Sequence, residues 1–154
     1  MTQILMEPIA WVHNQRAEVR DGEWGEVVSR VRLADDLPEA ALKGLEDFSH
    51  VNVVYWFHKI DPKKAVSYER HPRNKTHWPK VGVLAQRCKN RPNRLGLTVA
   101  RILRREGRDL WVAGLDAVNG TPVLDLKPVM SEFLPQESVT QPSWASELME
   151  SYWS

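Results

Sequence analysis

Seven consecutive residues, Val51-Asn52-Val53-Val54-Tyr55-Trp56-Phe57, constrain this chain more than any other stretch, because six of them are β-branched or aromatic. Such side chains lose rotamer freedom against the preceding turn of a helix but pack well on a pleated surface. The run is nearly continuous in its apolar character and is flanked by His50 and His58. It therefore reads as a central strand covered on both faces.

Other short extended runs supply partners for it. Pro8 to Val12 reads as a first strand. Glu23 to Leu33 returns after Asp21-Gly22, with Val27, Val31 and Leu33 on one side and Arg30 and Arg32 on the other. Val81 to Gln86 resumes the sheet, Leu97 to Arg105 alternates again, and Asp109 to Leu115 pairs with it across Gly107. Asn119-Gly120 is a hairpin signal, since both residues tolerate positive φ, and the strand Val123 to Lys127 follows it. Six or seven strands in meander order imply a closed or nearly closed barrel. One short helix fits Leu37 to Leu45, between Pro38 and Gly44. A second, amphipathic, follows Pro142, where Trp144, Leu148 and Met149 recur at helical spacing with Tyr152 beyond. It is expected to dock on the barrel or on a second subunit. Asp61 to Lys80 carries Pro62, Pro72 and Pro79 among polar residues, so it is a long excursion of the kind that often carries function.

The chain is thus expected to be mainly β, a small single-domain barrel with one short internal helix and a C-terminal amphipathic helix; 154 residues leave no room for a second domain. No apolar run of ~18 residues exists to span a bilayer, and the amino terminus lacks the layout of a secretory signal, so a cytoplasmic address is expected. Cys88 is the single cysteine. No disulfide and no metal site is expected.

The net charge of +1 hides an uneven distribution. Arg87 to Arg108 holds eight basic residues against Glu106 alone, whereas Ser131 to Ser154 holds four glutamates and no Lys or Arg. The basic stretch is either a surface facing an anion or a solvated strand face. No phosphate-cradling loop, nucleophile elbow or glycine-rich strand-to-helix turn is present. General motifs end at a basic all-β domain.

Ordered blocks carry the reading further. Gly44-Leu45-Glu46-Asp47-Phe48-Ser49-His50 leads into Tyr55-Trp56-Phe57-His58, and His71-Pro72-Arg73 follows. Val81-Gly82-Val83-Leu84-Ala85-Gln86-Arg87, Arg91-Pro92-Asn93 and Leu95-Gly96-Leu97-Thr98 come next. Gly114-Leu115-Asp116 and Gly120-Thr121-Pro122-Val123-Leu124-Asp125-Leu126-Lys127-Pro128 complete the series. In this order they resemble the TsaA-like family, the group that includes the tRNA threonylcarbamoyladenosine methyltransferases. The resemblance covers a barrel domain at residues 7–135 and leaves 136–154 as an extension.

What the resemblance implies is a homodimeric barrel that binds S-adenosylmethionine and methylates threonylcarbamoyladenosine in tRNA. Carried over position by position, the cofactor contacts are His58, Lys59, Arg87, Leu97, Asn119, Gly120, Thr121 and Pro122. Arg87 suits a bidentate pair with the cofactor carboxylate, Leu97 an apolar wall for adenine, and Gly120 a close backbone approach. Asn119 stands where the family usually has aspartate, Lys59 where it often has glutamine, and Arg94 where it has proline. A proton acceptor at the acceptor nitrogen points to Asp116 or Asp125. Each also has a structural reading: Asp125 as a hairpin cap or partner of Lys127, Asp116 as an Asx-turn residue. Arg91 and Arg94 flank Pro92-Asn93 and are assigned to acceptor phosphates, with a turn-fixing role as the alternative for Arg91. Trp78, in the polar excursion, is assigned to the nucleobase. Two other readings stay open: a methyltransferase with a different acceptor, and a non-catalytic RNA-binding barrel.

Overall fold

A computed structural model describes residues 2–19 and 21–154 of the chain. Six strands close a barrel: β1 (Ala10–His13), β2 (Val28–Leu33), β3 (His50–Trp56), β6 (Leu95–Glu106), β7 (Asp109–Ala113) and β8 (Pro122–Pro128). Two further short strands, β4 (Glu69–Arg70) and β5 (Val81–Gly82), pair with each other outside it. The wall runs β1-β2-β7-β6-β3-β8 and back to β1, with each neighbouring pair antiparallel.

Closure follows from period-two alternation. In β6 the even positions Gly96, Thr98 and Ala100 are buried while Leu95, Leu97 and Val99 face out. Ala10 and Val12 of β1, Val31 of β2, Val51 and Val53 of β3, Leu110 and Val112 of β7 and Val123 of β8 fill the interior at 0–1% exposure. Each Val or Leu buried in this way contributes about 1.5–3 kcal/mol.

Four expectations change. The order is not a meander: β3 pairs along its whole length with β6, from His50↔Arg101 to Trp56↔Leu95, and the chain returns to place β8 on the other side of β3. Asn119-Gly120 is consequently a tight turn but no hairpin, because β7 and β8 are not neighbours. Gly120 N–H bonds Val12 O at 2.7 Å, so the turn closes against β1. Second, β3 is not covered on both faces. Val51, Val53 and Tyr55 are buried but Trp56 is exposed, since a barrel of this kind has a single interior. Third, Val81 to Gln86 leaves the barrel: β5 pairs with β4, and Val83–Ala85 is a 3₁₀ turn. Fourth, the internal helix is two 3₁₀ turns, Glu39–Leu42 and Leu45–Asp47, separated by Gly44 at φ +94°. Pro38 ahead and Gly44 behind leave too few residues for an α-helical nucleus.

The C-terminal helix α1 (Ser143–Leu148) forms after Pro142, with Trp144 and Leu148 half-buried and Ser146 and Glu147 exposed. Beyond it the chain turns back onto the barrel. Trp24 N–H bonds Tyr152 O at 3.1 Å and Gly25 N–H bonds Trp153 O at 2.8 Å. Among the described residues, no helix is long and apolar enough to cross a membrane.

Candidate functional site

The site begins with an accommodation inside the barrel. Gly96 stands opposite Tyr55, and a Cβ at Gly96 would lie 2.4 Å from Tyr55 Cε2. Absence of that carbon lets the Tyr55 ring lie across β6, edge-on to Phe57 at 5.4 Å between centroids. The ring thereby carries its hydroxyl to the rim, where it donates to Asp116 Oδ1 at 3.1 Å.

Asp116 collects three hydroxyls. Thr98, at a buried position of β6, donates to Oδ1 beside Tyr55, and Tyr152 of the C-terminal segment donates to Oδ2. Burial and the Asp116 carboxylate push both Tyr55 and Tyr152 well above the ordinary phenol value. Both therefore remain protonated donors at working pH, and Asp116 is the acceptor of the cluster.

The carried-over cofactor positions lie on the same rim. Leu97 precedes Thr98 and turns outward, and Arg87 donates through Nη2 to Leu97 O. A Cβ on Gly120, which has φ +86°, would sit 3.6 Å from His58 Nε2, so the end of β3 meets the turn before β8. Burial and the Lys59 ammonium lower the His58 pKa below the ordinary imidazole value, which favours a neutral ring near pH 7. Lys59 itself donates to Ala17 O. Asn119 Oδ1 accepts Asn14 N–H at 3.0 Å while Asn119 N–H bonds Arg16 O at 2.6 Å. Thr121 is 2% exposed and donates to Val118 O, which fixes the turn from inside, and Pro122 starts β8. Through Asn14 and Arg16 this turn adjoins a cleft of about 750 Å³, whose other walls include His13, Arg30 and Trp111.

The two candidate carboxylates are far apart in environment. Asp125 sits on β8 paired with Val54, caps Leu126 N–H at 2.9 Å and lies 3.4 Å from Lys127 Nζ. It has the Lys127 partner that its position in sequence allows, but in the middle of β8 it caps no hairpin. Asp116 alone of the two has a converging set of donors.

Arg91 and Arg94 are tied to backbone carbonyls. Arg91 Nη1 donates to Gln86 O at 2.6 Å, and Arg94 reaches Ile60 O and Asp61 O at 3.3 and 3.2 Å. The basic stretch is also partly neutralised, with Arg104 on Glu106 at 2.6 Å and Arg105 on Glu46 at 2.8 Å. Trp78 donates its indole N–H to Glu147 Oε2 at 2.6 Å, and its carbonyl lies 2.8 Å from His71 Nδ1.

Sequence reasoning missed Thr98, Tyr55 and Tyr152. Thr98 carries a signal, a hydroxyl at an inward position of an alternating strand, which must find a partner when buried. Tyr152 has none, because its partner lies 36 residues away. Among the described residues no three His, Cys, Asp or Glu side chains come together as a metal would require.

Residues 13–133 match the family profile of the tRNA-methyltransferase O N-terminal domain. A human tRNA (adenine(37)-N6)-methyltransferase is 39% identical over 105 residues, which is 68% of this chain and 23% of the human protein. A Pyrococcus abyssi protein named as a probable S-adenosyl-L-methionine-binding protein is 33% identical over 141 residues, covering 88% of this chain and 73% of its own length. The crystal structure of TrmO from Pseudomonas aeruginosa superposes with a TM-score of 0.74 at 26% identity, covering 94% of this chain and 62% of that one. This chain therefore spans less than a quarter of the human relative.

Proposed function

Because the chain belongs to the tRNA-methyltransferase O N-terminal domain family, we propose that it is an S-adenosylmethionine-dependent methyltransferase acting on N6 of an adenosine in tRNA. In its finer form the acceptor is the threonylcarbamoyl-modified adenosine. The observation that carries the reading is one rim that joins the cofactor positions to a carboxylate held by three hydroxyls.

The residues present fit the cofactor. Arg87 is exposed and uses one nitrogen on Leu97 O, which leaves guanidinium N–H groups for a carboxylate. Leu97 offers an apolar surface at 48% exposure, and Gly120 has no Cβ to keep a ligand from the backbone. When bound, S-adenosylmethionine supplies an electrophilic methyl group. The protein's part is to hold the acceptor nitrogen in line, at about 3–3.5 Å, where positioning accounts for much of the rate. Asp116 receives the proton that this nitrogen must lose, and Arg91, Arg94 and Trp78 face the nucleic acid.

Residues 7–135 form the catalytic barrel in this reading, and 136–154 an extension of it. Exposed Trp56, Leu95 and Val99, on the outer face of β3 and β6, support assembly as a homodimer. A tRNA substrate supports a cytoplasmic address.

Two measurements test the proposal together. S-adenosylmethionine at ~100 times its Kd stabilises the fold by ~2.7 kcal/mol, and tRNA from cells lacking the protein loses a methylated adenosine by nucleoside mass spectrometry. Salt-dependent RNA binding with no stabilisation by the cofactor points instead to a non-catalytic barrel. Stabilisation with unchanged tRNA nucleosides points to another acceptor.

A further inference from the structure

The C-terminal segment meets the barrel at three places, two of which, Trp78 and Asp116, the proposed function uses. Glu147 holds the indole N–H of Trp78, the Tyr152 and Trp153 carbonyls take the N–H groups of Trp24 and Gly25, and the Tyr152 hydroxyl reaches Asp116 Oδ2. These contacts are built into the barrel side as well. A Cβ on Gly25 would lie 2.2 Å from Trp153 O, and one on Gly22 3.4 Å from Ser151 O, so glycine at position 25 is required for the segment to seat. The Tyr152 ring is further braced edge-on against Trp153, at 4.9 Å between centroids.

Geometry at Asp116 divides the work of its two oxygens. Oδ1 is held from inside the barrel by Thr98 and Tyr55, which belong to β6 and β3 and move with the wall. Oδ2 is held by Tyr152, which arrives from the far end of the chain. Without that hydroxyl the Asp116 side chain keeps one anchored oxygen and is free to rotate the other. A carboxylate that must meet a proton on a bound acceptor loses rate when its direction is not held.

We propose that Tyr152 is a positioning residue for Asp116, and that residues 143–154 form a strap which completes the acceptor side of the site from within the same chain. The inference rests on the reading of Asp116 as the proton acceptor. The Tyr152 phenol stays protonated because burial and the Asp116 charge hold its pKa high, which suits a permanent donor.

The test compares Tyr152→Phe, Asp116→Asn and the double variant in transfer of methyl from S-adenosylmethionine to tRNA, with cofactor Kd and Tm measured on each. Tyr152→Phe keeps the ring and its packing. It is expected to lower kcat about ten- to a hundredfold, the loss for one hydrogen bond to a charged group, with cofactor Kd unchanged and the fold kept. Asp116→Asn lowers kcat at least as far, and the double variant falls no further than Asp116→Asn, because the hydroxyl acts through the carboxylate. Gly25→Ala blocks the seat of Trp153 O and reproduces the Tyr152→Phe loss without altering either residue. Full kcat in Tyr152→Phe beside an inactive Asp116→Asn overturns the positioning role while leaving the proposed function standing. A rise in kcat in Tyr152→Phe or Gly25→Ala overturns it in favour of a strap that blocks the site, and fully additive losses overturn it in favour of a merely structural contact. Full kcat in Asp116→Asn removes the role of Asp116 and this inference with it.

Discussion

The barrel wall and its rim are held together by different physics. In the wall, β3 and β6 run seven consecutive residue pairs, and the inward side chains of all six strands share one apolar interior. On the rim, single polar contacts across long sequence distances do the holding: Asn14 to Asn119, Arg94 to Ile60 O, Lys59 to Ala17 O, Tyr152 to Asp116. Apolar burial is non-directional and many contacts share it, whereas a hydrogen bond depends on one partner at one angle. The wall is therefore expected to set stability and the rim to carry the proposed chemistry, with Tyr55 as the residue that belongs to both.

The largest effect that tests this division is expected at Leu110, which is fully buried on β7. Leu110→Ala leaves a cavity in the shared interior and should cost about 2–5 kcal/mol of unfolding free energy, read by urea denaturation. A loss below about 1 kcal/mol would show that the interior collapses around the gap and that the wall is less tightly specified than its packing implies. Next comes Arg87→Ala, on the exposed rim. Fold stability should change by no more than about 0.5 kcal/mol, while S-adenosylmethionine binding weakens by ~1.5–3 kcal/mol in calorimetric titration. Equal loss of stability and affinity would erase the distinction between the two regions.

The smallest effect concerns the outer surface of the wall. The Arg105 guanidinium, bonded to both oxygens of Glu46, lowers that carboxyl from its ordinary 4.5 to about 2. A depressed carboxylate contributes stability above its unfolded pKa and loses it as pH falls toward the folded value. Tm should therefore decline slightly between about pH 4.5 and 2, and Glu46→Gln should flatten that limb without changing Tm at pH 7 beyond the small effect of an exposed pair. A steep decline that survives the substitution would place the acid-sensitive carboxyl elsewhere.

Strand identity was legible in the residues where β-branched and aromatic side chains ran together, as from Val51, or where apolar residues alternated, as from Leu97. Val51 to Phe57, Leu97 to Arg105 and Asp109 to Leu115 all lie on or overlap wall strands. Val81 to Gln86 has similar composition but breaks after Gly82 into a 3₁₀ turn, and no local signal separates the two outcomes. At the site, the glycine of the Asn119-Gly120 turn announced its positive φ. That the turn would close on Val12 and approach His58, instead of joining two adjacent strands, depended on which strands the barrel made neighbours.

The residues by themselves determined most of the strands and the tight turns, because each is set by spacing over fewer than about ten residues, and they carried the order of motifs that marks the family. Tertiary structure alone decided the strand order, the withdrawal of Val81 to Gln86 from the wall, and the choice of Asp116 over Asp125 as the centre of a donor cluster. Those outcomes depend on contacts between residues tens of positions apart, such as Tyr55 with Asp116 and Asp116 with Tyr152. Pairing at that range is settled by the competition of all strands for one closed interior, which no single segment records.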